Sequence, residues 1–225
     1  MSSAVDICNI ALSHLGDSAT VASIDPPEGS VQAEHCARFY PISRDALLQM
    51  HSWNFITRRQ VLALLVDEMD QWDYVYAWPS GALEILSVLE YEVEGDYATP
   101  SAQIRSEYLT ASGTILDRGA YTPQPFHVET LASGAKVICT NQENALARYT
   151  VKITDTTLFP PLFAEALSWH LASKLAGPLL KGKTGMDMAA QCMRMFMLHS
   201  AQAKASDSNS RDIKPPHIVS WIAAR

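Results

Sequence analysis

The chain has 225 residues, 48% of them apolar, enough to bury one large core or two modest ones. Its 24 acidic and 17 basic residues leave a net charge of −7, which disfavours tight nucleic-acid binding by phosphate neutralisation. A charged fraction of only 18% suits a protein with extensive subunit contacts.

Residues 3–15 predict a short helix. Ser3 is its N-cap with Asp6 three residues on, Gly16 stands at the left-handed C-terminal position, and Val5, Cys8, Leu12 and Leu15 form one stripe. Thr20 to Gly29, with Asp25-Pro26-Pro27, reads as a loop. A second helix is expected from near Ser30 to about His51, with Ala33, Cys36, Tyr40, Leu47 and Met50 on one face. Pro41 lies inside it, where a missing N–H and a clash one turn back predict a kink or two consecutive helices.

From Phe55 to Tyr149 the period changes. Leu83–Leu89, Tyr91–Glu94 and Ala135–Cys139 are rich in strand formers, and glycines separate them. The spacing is too tight for crossover helices, so antiparallel strands are expected. Helix returns after Asp155, with Pro160-Pro161 at its first turn and Leu162, Phe163, Ala166, Leu167, His170 and Leu171 on one face as far as Gly177-Pro178. A last helix, rich in methionine, is expected from an N-cap at Thr184, with Asp187 at the third position, to about Ser206. The expected fold is α+β: residues 1–55 and 155–206 form a helical bundle, 56–154 an inserted antiparallel β-rich domain, and 207–225 an extended C-terminal tail.

Cys8, Cys36, Cys139 and Cys192 stand far apart without a CxxC pair, which predicts buried free thiols in a protein assembled in a reducing cytoplasm. Met1 to Leu15 lacks the pattern of a signal peptide, and no apolar run reaches the ~18 residues of a membrane span, so no membrane association is expected. Gly182-Lys183-Thr184 lacks the upstream glycine of a phosphate loop and reads as a loop plus a cap. His35 and Cys36 point in different directions on a helix, and no metal spacing links the histidines. His170 is expected to be a hydrogen-bonded core residue. No catalytic, cofactor or metal residues are assigned.

Glu90, Glu92, Glu94 and Asp96 fall on one face of a strand. Three readings stand: an acid/base pair or divalent-cation site, a solvated face, and a carboxylate row that repels DNA passing through a channel. Methionines of the last helix suit either a core or a surface that meets several partners. Arg58-Arg59 reads as salt-bridged or interfacial, with nucleic-acid contact as the alternative. Pro215-Pro216 followed by Ile218, Val219, Trp221 and Ile222 is unlike a solvated terminus and is expected to dock on a neighbour with Trp221 as anchor.

Several segments resemble the tail tubular protein A family, the head-to-tail adaptors of short-tailed bacteriophages. The resemblance covers most of the chain and rests on Ile7–Gly16, on Ala37–Tyr40 continuing to Arg44–Leu48, on His51–Arg59 with its Trp53-Asn54-Phe55, on Tyr74–Pro79, and on Tyr149–Asp155 leading to Leu158–Leu167. The sequence departs from the family pattern at Pro41, which stands where other members often have a non-proline, and at Ser52, where proline is expected. The resemblance implies a helical bundle plus a β region in a virion protein that forms a dodecameric ring beneath the portal. The tail nozzle lies below, tail fibres are a further possible partner, and DNA passes non-specifically through the centre. No catalytic residues come with the family. Expected interface residues are Trp53, Phe55, Arg58, Arg59, Ile218, Trp221 and Ile222; expected channel-facing residues are Glu90, Glu92, Glu94 and Asp96. The competing functions are a tail-associated hydrolase using the acidic cluster and an assembly factor absent from the particle.

Overall fold

A computed structural model describes residues 3–18, 20–65, 71–90, 107–109, 115–117 and 124–210. The fold is α+β, with helices and antiparallel sheets in separate parts of the chain. The described residues of Met1–Ile56 and Lys152–Arg211 form one compact unit, and those of Thr57–Val151 form another.

The first unit holds α1 (Ala4–His14), α2 (Val31–Gln49), α3 (Pro161–Leu180) and α4 (Gly182–Asn209). Ser3 caps α1 as expected: its hydroxyl accepts the Asp6 N–H, and the Asp6 carboxylate accepts the Ser3 N–H at 2.8 Å. Gly16 takes φ +75° just beyond the helix, a conformation that favours glycine. Of the kink or two consecutive helices expected at Pro41, two helices do not form: α2 is continuous from Val31 to Gln49. Pro41 sits on the exposed side, while buried residues continue before it (Ala33, Cys36, Tyr40) and after it (Ser43, Leu47, Leu48). Tertiary packing therefore holds the helix across one missing hydrogen bond.

Helix α3 is the centre of this unit, and α1, α2 and α4 all pack on it. Eleven of its 20 residues are buried, from Phe163 to Ala176, on more than the single face expected. A helix apolar nearly all round belongs inside a protein. Pro178 does not end it. The turn comes at Lys181 and Gly182, with φ of +53° and +56°, so α4 starts two residues before Thr184 and without a side-chain cap. The two helices then run close together, since a Cβ on Gly185 would lie 2.9 Å from the Ala176 carbonyl oxygen. At its other end α4 passes the expected stop at Ser206 and continues to Asn209.

The second unit holds β1 (Thr57–Val61), β2 (Tyr74–Ala77), β3 (Ala82–Glu90), β4 (Glu107–Leu109), β5 (Ile115–Asp117), β6 (Phe126–Thr130), β7 (Lys136–Thr140) and β8 (Ala145–Val151). The sheets are β1-β8-β3, β2-β7-β6 and the pair β4-β5, all antiparallel. Two links join the three-stranded sheets. Beyond β1, the Leu65 N–H donates to the Val75 carbonyl and the Ala77 N–H to the Ala63 carbonyl, each at 2.8 Å. Before β6, the Gln124 N–H donates to the Val88 carbonyl at 2.8 Å. The pairings thus run β3-β8-β1-β2-β7-β6 and back to β3, a closed circuit that shields strand edges.

Strand alternation sorts its side chains. Tyr76, Ile85, Val88, Ile138, Ala145, Ala147 and Tyr149 share one core with Leu62. Val75, Val137 and Cys139, one step along β2 and β7, form a second cluster with Leu65, Trp72 and Leu131.

Candidate interaction surface

The Trp53-Asn54-Phe55 element follows α2 as a single 3₁₀ turn, Asn54–Ile56. The Trp53 indole Nε1–H donates to the Leu47 carbonyl at 3.0 Å, and its ring meets Phe163 edge-on at 5.1 Å between centroids. Phe55 stacks edge-on with Phe163 at 5.1 Å and Phe159 at 6.1 Å. Trp53, expected at an interface, is 1% exposed, and its ring fills the core of the helical unit. Phe55 is half-buried and retains partial access.

Asn54 is held from the far end of the unit. Its backbone N–H donates to both carboxylate oxygens of Asp207, at 3.0 and 3.1 Å, and its side-chain Nδ2 donates to the Asp207 carbonyl at 2.7 Å and to Ser210 Oγ at 3.0 Å. His51 Nε2 lies 3.3 Å from the same carboxylate, which is 9% exposed. This clasp fixes the end of α4, immediately before residue 211, to the aromatic cluster. Sequence reading missed it because Asp207 looked like the first residue of a polar tail.

A second charged group joins α2 to the residue after β8. The Arg44 guanidinium, 7% exposed, lies over the Tyr40 ring and pairs with Asp45 at 2.8 Å, and the Lys152 ammonium pairs with the other Asp45 oxygen. Burial pushes the Asp45 carboxyl up, but hydrogen bonds from Lys152 and Arg44 and their positive charges outweigh it and hold it below the usual carboxylate range.

His170 has the expected core role: its Nδ1 pairs with the Ser43 carbonyl at 3.2 Å, and its ring stacks on Phe196 at 4.5 Å. Burial and the nearby Lys174 push its pKa down, against the opposing pull of the Ser43 carbonyl. All four cysteines are buried free thiols, as expected. Hydrogen bonding to Cys36 and burial push the Cys8 thiol up. His35 is half-buried beside buried Cys36. A further group was not foreseen: His14 stacks on Trp169 at 3.5 Å, and Trp169 on His199 at 5.9 Å, with the indole N–H donating to Glu165 at 3.0 Å.

Arg58 and Arg59 are exposed on β1, opposite Tyr149 and Arg148 of β8. Glu90 is the exposed last residue of β3, paired with Ala145. Glu92, Glu94 and Asp96 lie outside the described residues, as do Ile218, Trp221 and Ile222. Among the described residues no three His, Cys, Asp or Glu side chains converge as metal ligands.

Large apolar side chains do reach the surface of the helical unit. Val31 and Ile42 on α2 are 61% and 54% exposed, and Met186, Met197 and Leu198 on α4 are 73%, 63% and 52% exposed. Comparison of the chain with protein-family models and with curated proteins finds no match.

Proposed function

We propose that this chain is a structural subunit of a bacteriophage tail, a head-to-tail adaptor that forms a ring between portal and tail nozzle with DNA passing through its centre. In this reading it catalyses nothing, and its mechanism is geometric. Each copy offers one surface to its neighbour, one to the portal and one to the next tail ring, in a head-to-tail arrangement that closes on itself.

One observation carries the reading. Four of the segments that resemble the adaptor family belong to one folded unit although they are spread over the chain. Ile7–Gly16 lies largely in α1, Ala37–Leu48 in α2, His51–Ile56 in the turn after it, and Leu158–Leu167 leads into α3. Helices α1 and α2 pack on α3, and Trp53 and Phe55 close on Phe163. A chance likeness gives no reason for its separate pieces to build each other's core, whereas descent from a common scaffold does.

Quantitative mass spectrometry of purified particles of the virus that encodes the chain tests this reading. An adaptor is present in a fixed ratio to the portal protein. Absence from intact particles refutes the adaptor and leaves an assembly factor.

A further inference from the structure

The clasp around Asp207 sets the end of α4 beside a group of large apolar side chains. Ser210 Oγ accepts from Asn54 Nδ2 at 3.0 Å, and Phe55 is the next residue after Asn54. The Phe55 ring meets Phe159 at 6.1 Å and Phe163 at 5.1 Å, and Phe159 meets Phe163 at 4.9 Å. Leu158 and Leu162, which directly precede Phe159 and Phe163, are 47% and 39% exposed, and Phe55 and Phe159 are half-buried. Two exposed leucines and two partly accessible rings therefore lie close to Ser210, the last described residue of the chain.

Residues 211–225 follow, and they carry Ile218, Val219, Trp221 and Ile222 within five positions. Ile218 is eight residues beyond Ser210, a reach of at most about 26 Å, so this segment can fold back onto the surface beside its own root. Pro215 and Pro216 have φ fixed by their rings, so the connecting residues lose less entropy on docking than a flexible linker does. A tether this short gives an effective concentration in the millimolar range, which a separate copy does not reach in dilute solution. The exposed methionines of α4 are further from the root: Met197 lies 13 residues, about 20 Å, back along the helix. Phenylalanine rings also offer the edge contacts that a tryptophan prefers.

We propose that in the free subunit Ile218–Ile222 packs on the Phe55, Leu158, Phe159 and Leu162 surface of its own chain, with Trp221 against the phenylalanine rings. Covered in this way, a free copy shows other molecules neither its apolar segment nor its aromatic surface. The contact belongs to the single chain and does not depend on the ring reading above.

Photo-crosslinking of the full chain tests it, with Trp221 replaced by the photoreactive p-benzoylphenylalanine and a 1:1 mixture of isotope-labelled and unlabelled copies. The expected crosslinks join position 221 to the tryptic peptides Asp45–Arg58 and Ile153–Lys174 of the same copy, with a yield that does not change on dilution. Adding Leu158→Asp and Leu162→Asp, both at exposed positions, is expected to lower that yield at least about fivefold while helix content by circular dichroism stays at the wild-type level. Crosslinks mainly to α4 or to the β-rich unit overturn the proposal. So do crosslinks mainly between labelled and unlabelled copies, which assign the segment to a neighbour instead. A yield no higher than that of the urea-unfolded chain, or one that the two aspartates leave unchanged, overturns it as well.

Discussion

Replacing Asp207 with alanine removes the carboxylate that holds Asn54 and His51. That carboxylate is 9% exposed and accepts the Asn54 N–H at 3.0 and 3.1 Å. A hydrogen bond to a charged group contributes about 1.5–3 kcal/mol, and a buried N–H left without an acceptor costs about 1–3 kcal/mol. The Asn54 contact is partly buried rather than dry, so the expected loss is about 2–3 kcal/mol. At 2–4 °C per kcal/mol for a chain of this size, the helical unit then melts about 4–12 °C lower. Asp207→Asn keeps an acceptor oxygen and loses about 1 kcal/mol. Urea unfolding of both variants, followed by circular dichroism near 222 nm and by tryptophan fluorescence, measures this, since helix content reports the first unit. Asp207→Ala within about 0.5 kcal/mol of wild type, the range of an inert surface change, refutes the clasp. Equal losses for the alanine and asparagine variants refute the role given to the acceptor oxygen.

Trp53→Ala is expected to cost about 3–5 kcal/mol in the isolated chain, as for a large core aromatic, and Trp53→Phe less; unchanged denaturation of the isolated variant contradicts its placement in the core. Gly185→Val forces a Cβ toward the Ala176 carbonyl 2.9 Å away and is expected to lower stability by about 1–3 kcal/mol, read as a lower melting temperature. Burial holds His14 and His170 below their ordinary value of 6.5, so the folded state favours their neutral forms. Their contribution is complete above pH 6.5 and is lost as pH falls through the lowered folded values; the urea midpoint therefore drops from pH about 7.5 to about 5, and His170→Gln weakens that slope. Asp45, held low by Lys152 and Arg44 against its burial, contributes above 3.8 and loses that contribution as pH falls through its lowered value, so Lys152→Met flattens the acid limb of the same titration.

Local chemistry was readable in the sequence, and long-range chemistry was not. The Ser3–Asp6 cap and the left-handed Gly16 depend on neighbours a few residues away, and both appear as expected. Pro41 does not divide α2 in two, because buried residues on both sides of it hold the helix across the missing bond. Thr184 and Asp187 carry the signature of a helix start, but the tight turn at Lys181–Gly182 begins α4 earlier. Met50 fits the apolar period of α2 yet lies just past its end, 47% exposed, whereas Val31 and Ile42 lie off that period and are exposed. The core position of Trp53 left no local sign because its partner, Phe163, is 110 residues later in the chain. The closed circuit of strands depends on two short links, at Ala63–Leu65 and at Gln124, that leave no pattern in the sequence.

Electron microscopy of this chain mixed with the portal ring of the virus that encodes it tests the proposed adaptor role most directly. A second ring of density beneath the portal, coaxial with its channel, is the predicted result. A portal that stays bare across low and moderate salt, with the chain folded and in excess, contradicts it.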